Sequence, residues 1–274
     1  MKKLYRLSAF PKGTFGGNNA GVYLYADGLS ETEMQQIAKD VGYSETAFVM
    51  KSNLADFKVR FFTPISEVDL CGHATIATFN LLKKLKIIKV GTYTQETKAG
   101  ILKLDVRENM VFMEQPRPIF SEIIDKEQIL ECFDNIQIHP SLPIQVVSTG
   151  IREIFLPVDS VDNLNSLKPD FNKMVKLAQK HDTIGIHAFA IGEDCDAYGR
   201  NFAPVVGIEE ESATGTSNGA LSCYLFRYFD NKNAFELRQG YSMNLPSEVF
   251  VKLEIDKDDI NKVWVGGSAT LIEK

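Results

Sequence analysis

The sequence has few cysteines, few histidines and no nucleotide-binding loop, and each shortage excludes a class of protein. Its four cysteines show neither CxxC spacing nor a disulfide framework, so we expect reduced thiols and a cytoplasmic location. The four histidines include no HxxxH pair, and this spacing predicts no metal site. No GxGxxG or Walker-type loop follows a predicted strand, so we expect no nucleotide cofactor.

Basic charge and long apolar runs are also lacking. The formal net charge is −6 over 274 residues, and because polyanion binding depends on clustered lysine and arginine, we do not expect nucleic acid as a partner. No apolar run approaches the roughly 20 residues of a membrane span, so no membrane partner is expected. With 44% apolar and 24% charged residues, the composition is typical of a globular protein, and the length suits one large domain or two smaller ones.

Alternating apolar and polar residues dominate the chain. Residues 57–61 and 102–106 alternate in this way, which predicts half-buried strands. Ser30 and Glu33 form a capping-box signature that predicts the start of a helix, and residues 169–180 predict a second helix. Because single helices interrupt the strands without a regular βαβα order, we predict an α+β fold with mixed or antiparallel sheets.

Two stretches of the chain resemble copies of one element. Residues 67–75 (EVDLCGHAT) and residues 210–218 (EESATGTSN) both run from acidic residues through a small or polar residue to a glycine and a predicted helix start. A shift of 143 residues superposes the two glycines, Gly72 and Gly215. A repeat at about half the chain length predicts two similar halves.

The two predicted helices carry no charge over most of their length. No Asp, Glu, Lys or Arg occurs in residues 70–82 or in residues 212–226. A helix that is apolar all round is buried on all sides, so each is predicted to be the central helix of its half. A helix N-terminus presents unpaired N–H groups and a positive dipole end, which makes each helix start a candidate for binding a small anion.

A third polar feature is Glu45, at the entry to an apolar, strand-like run. It lies within residues 44–48 (SETAF). A carboxyl group held beside apolar side chains is suited to moving protons near neutral pH. Glu45 is therefore a candidate general acid or base, whereas a solvated loop carboxylate would have no such role.

These features together, in their order along nearly the whole chain, resemble a known family. The sequence is similar to the PhzF-like phenazine-biosynthesis isomerases of the diaminopimelate-epimerase-like superfamily. The segments that carry the resemblance are residues 44–48 (SETAF), 62–64 (FTP), 67–75, 202–204 (FAP) and 213–215 (ATG).

The resemblance implies a fold and a type of reaction. It implies two pseudo-symmetric lobes, each a mixed or antiparallel β-sheet or barrel around a central helix, with the active site in the cleft between them. We place the N-terminal lobe at residues 1–115 with 256–274, and the C-terminal lobe at residues 116–255. The resemblance also implies a homodimer without metal or organic cofactor, which isomerises a small carboxylic acid by moving a proton.

Site residues follow position by position from the same resemblance. Glu45 matches the proton-shuttling carboxylate and His73 a histidine of the active site, while Asp69 is expected to orient the site. Glu211 stands where the family commonly has aspartate, and is a fourth catalytic candidate. The substrate-binding candidates are Ser44, Gly72, Ala74, Thr214, Gly215, Thr216 and Asn18.

Two other functions stay open at this point. A two-base epimerase would place a thiol on each side of the substrate carbon; Cys71 occupies the first such position, but Thr214 occupies the second. A threonine hydroxyl does not act as a thiolate-like base near neutral pH, which ranks this alternative lower. A non-catalytic homologue that only binds a small molecule is the third possibility, suggested by the Glu211-Ser212 pair in place of the Asp-Pro that the family commonly has.

Overall fold

The computed structural model describes residues 3–257 and 259–272. The chain forms two compact units: unit 1 comprises Met1–Glu114 and Gly266–Lys274, and unit 2 comprises Gln115–Val265. Among the helices of the described ranges, none combines the length and the apolar character that crossing a bilayer requires.

Strands outnumber helices by three to one in these ranges. The helices are α1 (Glu31–Val41), α2 (Gly72–Lys84), α3 (Lys126–Leu130), α4 (Val161–Ser166), α5 (Phe171–Lys180) and α6 (Gly215–Tyr228). The strands are β1 (Leu4–Ala9), β2 (Asn18–Tyr23), β3 (Glu45–Met50), β4 (Phe57–Phe62), β5 (Glu67–Val68), β6 (Gly91–Thr97), β7 (Gly100–Val106), β8 (Val111–Gln115), β9 (Ile119–Ile123), β10 (Gln145–Ser148), β11 (Arg152–Pro157), β12 (Ile186–Ile191), β13 (Ala197–Ala203), β14 (Ile208–Glu211), β15 (Ala234–Gln239), β16 (Ser247–Asp256), β17 (Asp259–Gly267) and β18 (Ala269–Leu271).

Unit 1 is a mixed sheet with two parallel pairings. β1 pairs antiparallel with β18 and β2, β2 pairs parallel with β3, and β3 pairs antiparallel with β4. The far edge of β4 is shared: its C-terminal end pairs antiparallel with β5, and its N-terminal end pairs parallel with β6, which continues antiparallel into β7 and β8. The chain leaves the sheet after β5 and forms α2 before it returns as β6.

Helix α2 is the centre of unit 1. It contacts β1, β2, β3, β7 and β18, so the sheet surrounds it on several sides. Every residue from 73 to 82 is buried, and the helix turns basic only at Lys83 and Lys84 in its last turn. The absence of charge over residues 70–82 thus predicted its burial correctly, since a charged side chain would have no access to water there.

Helix α1 packs on β3 and β4, and its ends follow from local sequence. Ser30 and Glu33 make the predicted capping box, in which each side chain accepts from the backbone N–H of the other residue. Gly42 ends the helix at φ 69°, a left-handed conformation that glycine adopts without steric cost. Met34 and Ala38 pack against Phe48 and Phe62.

Unit 2 repeats the pairing order of unit 1 strand for strand. β10 pairs antiparallel with β11, β11 parallel with β12, and β12 antiparallel with β13. One edge of β13 is shared between antiparallel β14 and parallel β15, and β15 continues antiparallel into β16. The chain again forms its buried helix, α6, between the two strands that share an edge. Helices α4 and α5 stand in the place of α1, between β11 and β12, and pack against a core cluster of the same unit.

The repeat extends to individual side chains. In unit 1 the guanidinium of Arg60 donates two hydrogen bonds to Glu67, of 2.7 and 2.8 Å, and stacks 5.1 Å from the ring centroid of Phe62. In unit 2 Arg200 donates two hydrogen bonds to Glu210, of 2.8 and 2.7 Å, beside its own phenylalanine. The α+β fold with two pseudo-symmetric lobes, each built around one helix, is therefore confirmed.

Candidate active site

Three segments of unit 1 meet at the N-terminus of α2. Because β2 and β3 are parallel, with Ala20 opposite Glu45, their first residues lie at the same edge of the sheet. Asn18 begins β2, Glu45 begins β3, and His73 lies in the first turn of α2. Residues that are 55 and 28 positions from His73 in the chain are thereby placed around its ring.

The imidazole of His73 is the centre of this cluster. Its Nε2 lies 3.2 Å from Oε2 of Glu45 and 3.4 Å from the hydroxyl of Ser44. Its Nδ1 lies 3.4 Å from Nδ2 of Asn18 and 3.4 Å from Sγ of Cys71. The predicted site residues Asn18, Ser44, Glu45 and His73 are thus together in space.

Proton positions in this cluster follow from the contacts of the ring. With the Asn18 amide group oriented as it lies, its Nδ2 can donate to Nδ1 of His73 in the tautomer that carries the ring proton on Nε2. The Glu45 side chain is 14% exposed, and its Oε2 is buried without a hydrogen bond of good geometry among the described groups. A carboxylate oxygen in this state has a free lone pair that can accept a proton from a bound molecule.

The first turn of α2 has no internal cap. The N-cap residue Cys71 makes no side-chain capping hydrogen bond, and the first turn contains no acidic residue. The N–H groups of Gly72 and Ala74 therefore keep their capacity to bind an external anion. A Cβ atom on Gly72 would lie 3.7 Å from Met113, an ordinary contact, so steric crowding within unit 1 does not explain this glycine.

Asp69 lies two residues before Cys71. Its side chain is exposed, and within the described ranges no hydrogen bond or ion pair involves it. Its role in orienting the site stays a prediction.

The corresponding region of unit 2 is held by an amide that the sequence analysis had not selected. Gln239 donates to the carbonyl oxygen of Glu211 at 2.7 Å and accepts from the backbone N–H of Thr214 at 3.2 Å and from Asn218 at 2.7 Å. The hydroxyl of Thr214 donates to Oε2 of Glu211 at 3.1 Å. Two predicted site residues, Glu211 and Thr214, are thus in direct contact.

Helix α6 begins like α2. Thr214 is its N-cap and makes no side-chain capping bond, and the first turn is free of acidic residues. Gly215 is buried and Thr216 is half-buried. Asn218 and Thr75 occupy the same position, three residues after the first glycine of α6 and of α2, and Thr75 also hydrogen bonds to a glutamine, Gln95, at 3.2 Å.

A second polar group that the sequence analysis missed lies in the core of unit 2. Glu153 is 1% exposed and accepts from Nδ2 of Asn201 at 2.6 Å and from the hydroxyl of Ser217. Burial raises the pKa of Glu153 to about 7 despite these hydrogen bonds. Burial likewise lowers the pKa of His187, next to Asn201, to about 3. The only local signal was a glutamate directly before the apolar run 154–158.

Potential metal ligands also converge in unit 1. One ligand atom from each of Glu45, Cys71 and His73 lies within 4.8 Å of the others. The spacing of histidines and cysteines along the chain did not predict this group, because Glu45 lies on another strand.

A surface cavity of unit 1 lies away from this cluster. Its volume is about 470 Å³, and it is lined by residues 50, 58–60 and 96–98, none of them a predicted site residue. Its cations are compensated, since Lys58 pairs with Glu96 at 2.8 Å and Lys98 pairs with Glu67 at 2.5 Å. The cavity therefore offers no unpaired charge to an anionic ligand, and the chemistry points to the α2 cluster instead.

The fold and the α2 cluster define a class of protein: isomerases and epimerases built from two repeated lobes. A family model described as phenazine biosynthesis-like protein matches residues 7–274, and the chain belongs to this family. The predicted recognition and the isomerase class of the enzyme are confirmed by this match and by the relatives below.

The relatives cover nearly the whole chain. An uncharacterized isomerase of Clostridium acetobutylicum is 36% identical over 99% of this chain and 96% of its own length. The trans-2,3-dihydro-3-hydroxyanthranilate isomerase of Pseudomonas chlororaphis is 30% identical over 96% of this chain and 94% of its own length. The crystal structure of a PhzF-family phenazine biosynthesis protein of Bacillus anthracis superposes with a TM-score of 0.89 at 30% identity, covering 100% of this chain and 98% of that one.

Proposed function

We propose that this protein isomerises a small carboxylic-acid metabolite without a cofactor, and that Glu45 moves the proton. The observation that carries the proposal is the Glu45 carboxylate beside His73: it is half-buried, lies 3.2 Å from Nε2, and keeps a buried oxygen without a hydrogen bond. A carboxylate that is held in place but has one oxygen without a hydrogen-bond donor is suited to accept a proton from carbon.

The reaction that we propose conserves all atoms and electrons. Glu45 takes a proton from a C–H bond of the substrate, and the electron pair of that bond becomes part of a shifted double bond. The carboxyl group then returns the proton to a different carbon, so that Glu45 ends in its initial state. In the tautomer that carries its proton on Nε2, His73 donates a hydrogen bond to charge that develops on the substrate, and Asn18 orients the ring through Nδ1.

A substrate carboxylate fits the uncapped start of α2. The N–H groups of Gly72 and Ala74 and the helix dipole favour an anion there, and the exposed hydroxyl of Ser44 adds a donor at the rim. The start of α6, at Gly215 and Thr216, has the same features, and its part in binding substrate is a prediction of the same kind.

A second candidate is supported by one contact. Sγ of Cys71 lies 3.4 Å from Nδ1 of His73, and a thiol beside an imidazole at a helix N-terminus can serve as a base, as in a two-base epimerase. At the position of the second base this chain has Thr214 instead of a cysteine, and the hydroxyl of Thr214 donates a hydrogen bond to Glu211. The single-carboxylate mechanism is therefore the main proposal.

Solvent exchange distinguishes the candidates. The protein is incubated in D2O with a panel that contains trans-2,3-dihydro-3-hydroxyanthranilate, other small cyclic acids and cyclic α-amino acids, and deuterium entry is followed by mass spectrometry. We expect exchange in the wild type and a loss of about 10²–10⁴-fold in Glu45→Gln, the usual cost of removing a general acid or base. The surface variant Glu108→Gln is the matched control and should exchange at the wild-type rate.

The other outcomes have a clear meaning. Exchange that persists in Glu45→Gln but disappears in Cys71→Ala would reverse the ranking in favour of the two-base epimerase. Binding of a panel member without any exchange would contradict catalysis of this type and favour a protein that only binds the small molecule.

A further inference from the structure

We propose that Glu153 is a positioning residue for the start of α6: it fixes the first turn of the helix through Ser217, and the proton that it carries controls how tightly this turn binds a substrate carboxylate. The second part of this inference rests on the proposed function, which places a substrate carboxylate at Gly215 and Thr216. The first part stands on contacts within unit 2 alone.

Glu153 belongs to a polar group in the core of unit 2 that joins three adjacent strands to α6. Its members are Glu153 on β11, His187 on β12, Asn201 on β13 and Ser217 on α6, and each is at most 1% exposed. Nδ2 of Asn201 donates to Oε1 of Glu153 at 2.6 Å and lies 3.2 Å from Nδ1 of His187. The hydroxyl of Ser217 donates to Oε2 of Glu153. Burying four polar side chains is costly to a fold unless they bond to one another.

Unit 1 has apolar side chains at all four equivalent positions. The equivalence follows from features that the units share: the residue after the arginine of each arginine–glutamate pair, the residue opposite it on the next strand, the position two residues before the parallel partner of that residue, and the second residue after the first glycine of the buried helix. The counterparts of Glu153, His187, Asn201 and Ser217 are, in this order, Ala20, Ala47, Phe61 and Ala74, all of them fully buried. A lobe of this fold therefore forms without the polar group, and its presence in unit 2 indicates a role beyond folding.

The polar group reaches the part of α6 where a substrate carboxylate is proposed to bind. Ser217 is the third residue of the helix, directly after Gly215 and Thr216. The hydroxyl of Thr149 holds the same turn, since it donates to the carbonyl oxygen of Thr216 at 3.1 Å. Of the two side chains that hold this turn from the strand side, Glu153 is the one that can change its charge.

The charge of Glu153 competes with a bound anion. An ionised Glu153 places a negative charge beside the positive end of the α6 dipole and offsets the attraction of the helix start for a substrate carboxylate. A protonated Glu153 keeps its place in the polar group but removes that charge, so the N–H groups of Gly215 and Thr216 attract the carboxylate fully. By reciprocity, a bound carboxylate favours the protonated form of Glu153.

The surroundings of Glu153 place this change of charge near neutral pH. Burial raises the pKa of Glu153 to about 7; the hydrogen bonds with Ser217 and Asn201 act against this rise, and the like charge of Glu211 adds to it. The other titratable member of the group, His187, is neutral in this range because burial lowers its pKa to about 3. The residue opposite Glu153 on β10 is apolar, and within the described part of the chain no lysine or arginine forms an ion pair with Glu153.

The first test needs no substrate. In the isotope-labelled full chain, NMR follows the side-chain carboxyl carbon of Glu153 and the backbone amides of Gly215 and Thr216 as the pH is raised. We expect all three signals of the wild type to titrate together near pH 7, and the amides to lose this titration in Glu153→Gln, whose side chain keeps its shape without a charge. Amides that titrate alike in both proteins, or that stay unchanged while Glu153 titrates, would contradict the link to α6. The wild-type titration decides this even where a variant fails to fold.

The second test measures the binding of benzoate, a simple cyclic carboxylate, through the shifts of the same two amides. The dissociation constant of the wild type should rise by about 5–150-fold as the pH is raised through the pKa of Glu153, which is the usual range for two coupled sites, and that of Glu153→Gln should stay constant. Benzoate that binds the wild type equally well on both sides of this pKa, or that leaves Gly215 and Thr216 unshifted, would overturn the proposed control of carboxylate binding.

Ser217→Ala separates the position of the turn from the charge, because it removes the bond to the helix and leaves the carboxyl group of Glu153. We expect benzoate affinity below the pKa of Glu153 to fall by about fivefold, the equivalent of one typical hydrogen bond. Ser222→Ala is the matched control: Ser222 is a second buried serine of α6, but it donates to the carbonyl oxygen of Asn218 at 3.0 Å, and its loss should leave benzoate affinity unchanged. Equal losses in the two variants would overturn the positioning role.

The catalytic consequence is tested with whichever substrate supports exchange in D2O. The KM of the wild type should rise with pH as the dissociation constant of benzoate does, while kcat keeps the same pH dependence in the wild type and in Glu153→Gln. Absence of exchange alongside pH-linked benzoate binding would count against the proposed function only. Exchange with a KM that depends on pH equally in both proteins would count against the role of Glu153 only.

Discussion

The buried Glu153 makes the stability of this protein depend on pH in a way that can be isolated. Glu153 is 1% exposed, and burial raises its pKa from 4.5 to about 7. A carboxyl group that is neutral in the folded chain but ionised in the unfolded chain favours unfolding. Its contribution to stability is therefore fully present below pH 4.5 and is lost as the pH rises toward about 7.

The size of the effect follows from the two pKa values. Each pH unit of difference between the folded and the unfolded pKa is worth about 1.4 kcal/mol, so the step from 4.5 to about 7 amounts to roughly 3 kcal/mol. Glu153→Gln removes this titration and keeps the shape of the group. The glutamine oxygen still accepts from Asn201, and its amide can donate to the hydroxyl of Ser217.

Urea unfolding of the wild type and of Glu153→Gln at pH 5 and pH 8 measures this directly. The quantity compared is the free energy of unfolding of the variant minus that of the wild type. We expect this difference to rise by up to roughly 3 kcal/mol from pH 5 to pH 8, whatever its value at pH 5. Burial also lowers the pKa of His187 to about 3, so this residue destabilises the fold as the pH falls, which is the opposite pH dependence to that of Glu153. His187 is present in both proteins, so its effect cancels in the comparison. An equal difference between the two proteins at both pH values would refute the reasoning.

Two further predictions concern stability. Gly240→Ala should destabilise the protein far more than Gly207→Ala in thermal or urea unfolding. Both glycines have φ near 80°, which costs alanine about 1–2 kcal/mol, but the new Cβ meets open space at Gly207 and collides with the carbonyl oxygen of Leu245 at Gly240, which adds about 1–3 kcal/mol. Equal costs at the two positions would contradict the crowding at Gly240. Arg60→Met should cost about 1–3 kcal/mol in urea at pH 7, because Glu67 loses its two-bond partner. Because Arg60 lowers the pKa of Glu67 in the folded chain, the stability that the pair contributes is lost as the pH falls and Glu67 becomes protonated, so the cost of Arg60→Met should shrink in acid. A cost that is constant from pH 7 to pH 3 would disprove the ion-pair explanation.

Local sequence signals predicted the helices at the centre of each unit. The charge-free run 70–82 corresponds to α2, whose residues 73–82 are all buried, and the second run corresponds to α6. The capping box at Ser30 is formed as expected. These predictions succeeded because burial along a helix and the capping of its first turn depend on residues a few positions apart.

The sequence also contained the repeat but not its full extent. The paired glycines Gly72 and Gly215 indicated two similar halves, and the strand pairings of the two units follow the same order. The equivalent arginine–glutamate pairs are separated by different numbers of residues in the two units, so a fixed shift of the sequence does not align them. Their likeness became visible only in the hydrogen bonds.

The sequence by itself determined which helices are buried, where they begin, and that a carboxylate at position 45 precedes an apolar strand. Only the tertiary structure decided that Glu45, Cys71 and His73 share one small volume, and that Glu153 is enclosed with Asn201. The physical reason is that strand pairing and helix packing join residues that are far apart in the chain: the start of β3 lies at the N-terminus of α2, and β11 and β13 flank β12. No local pattern specifies which distant side chains meet there.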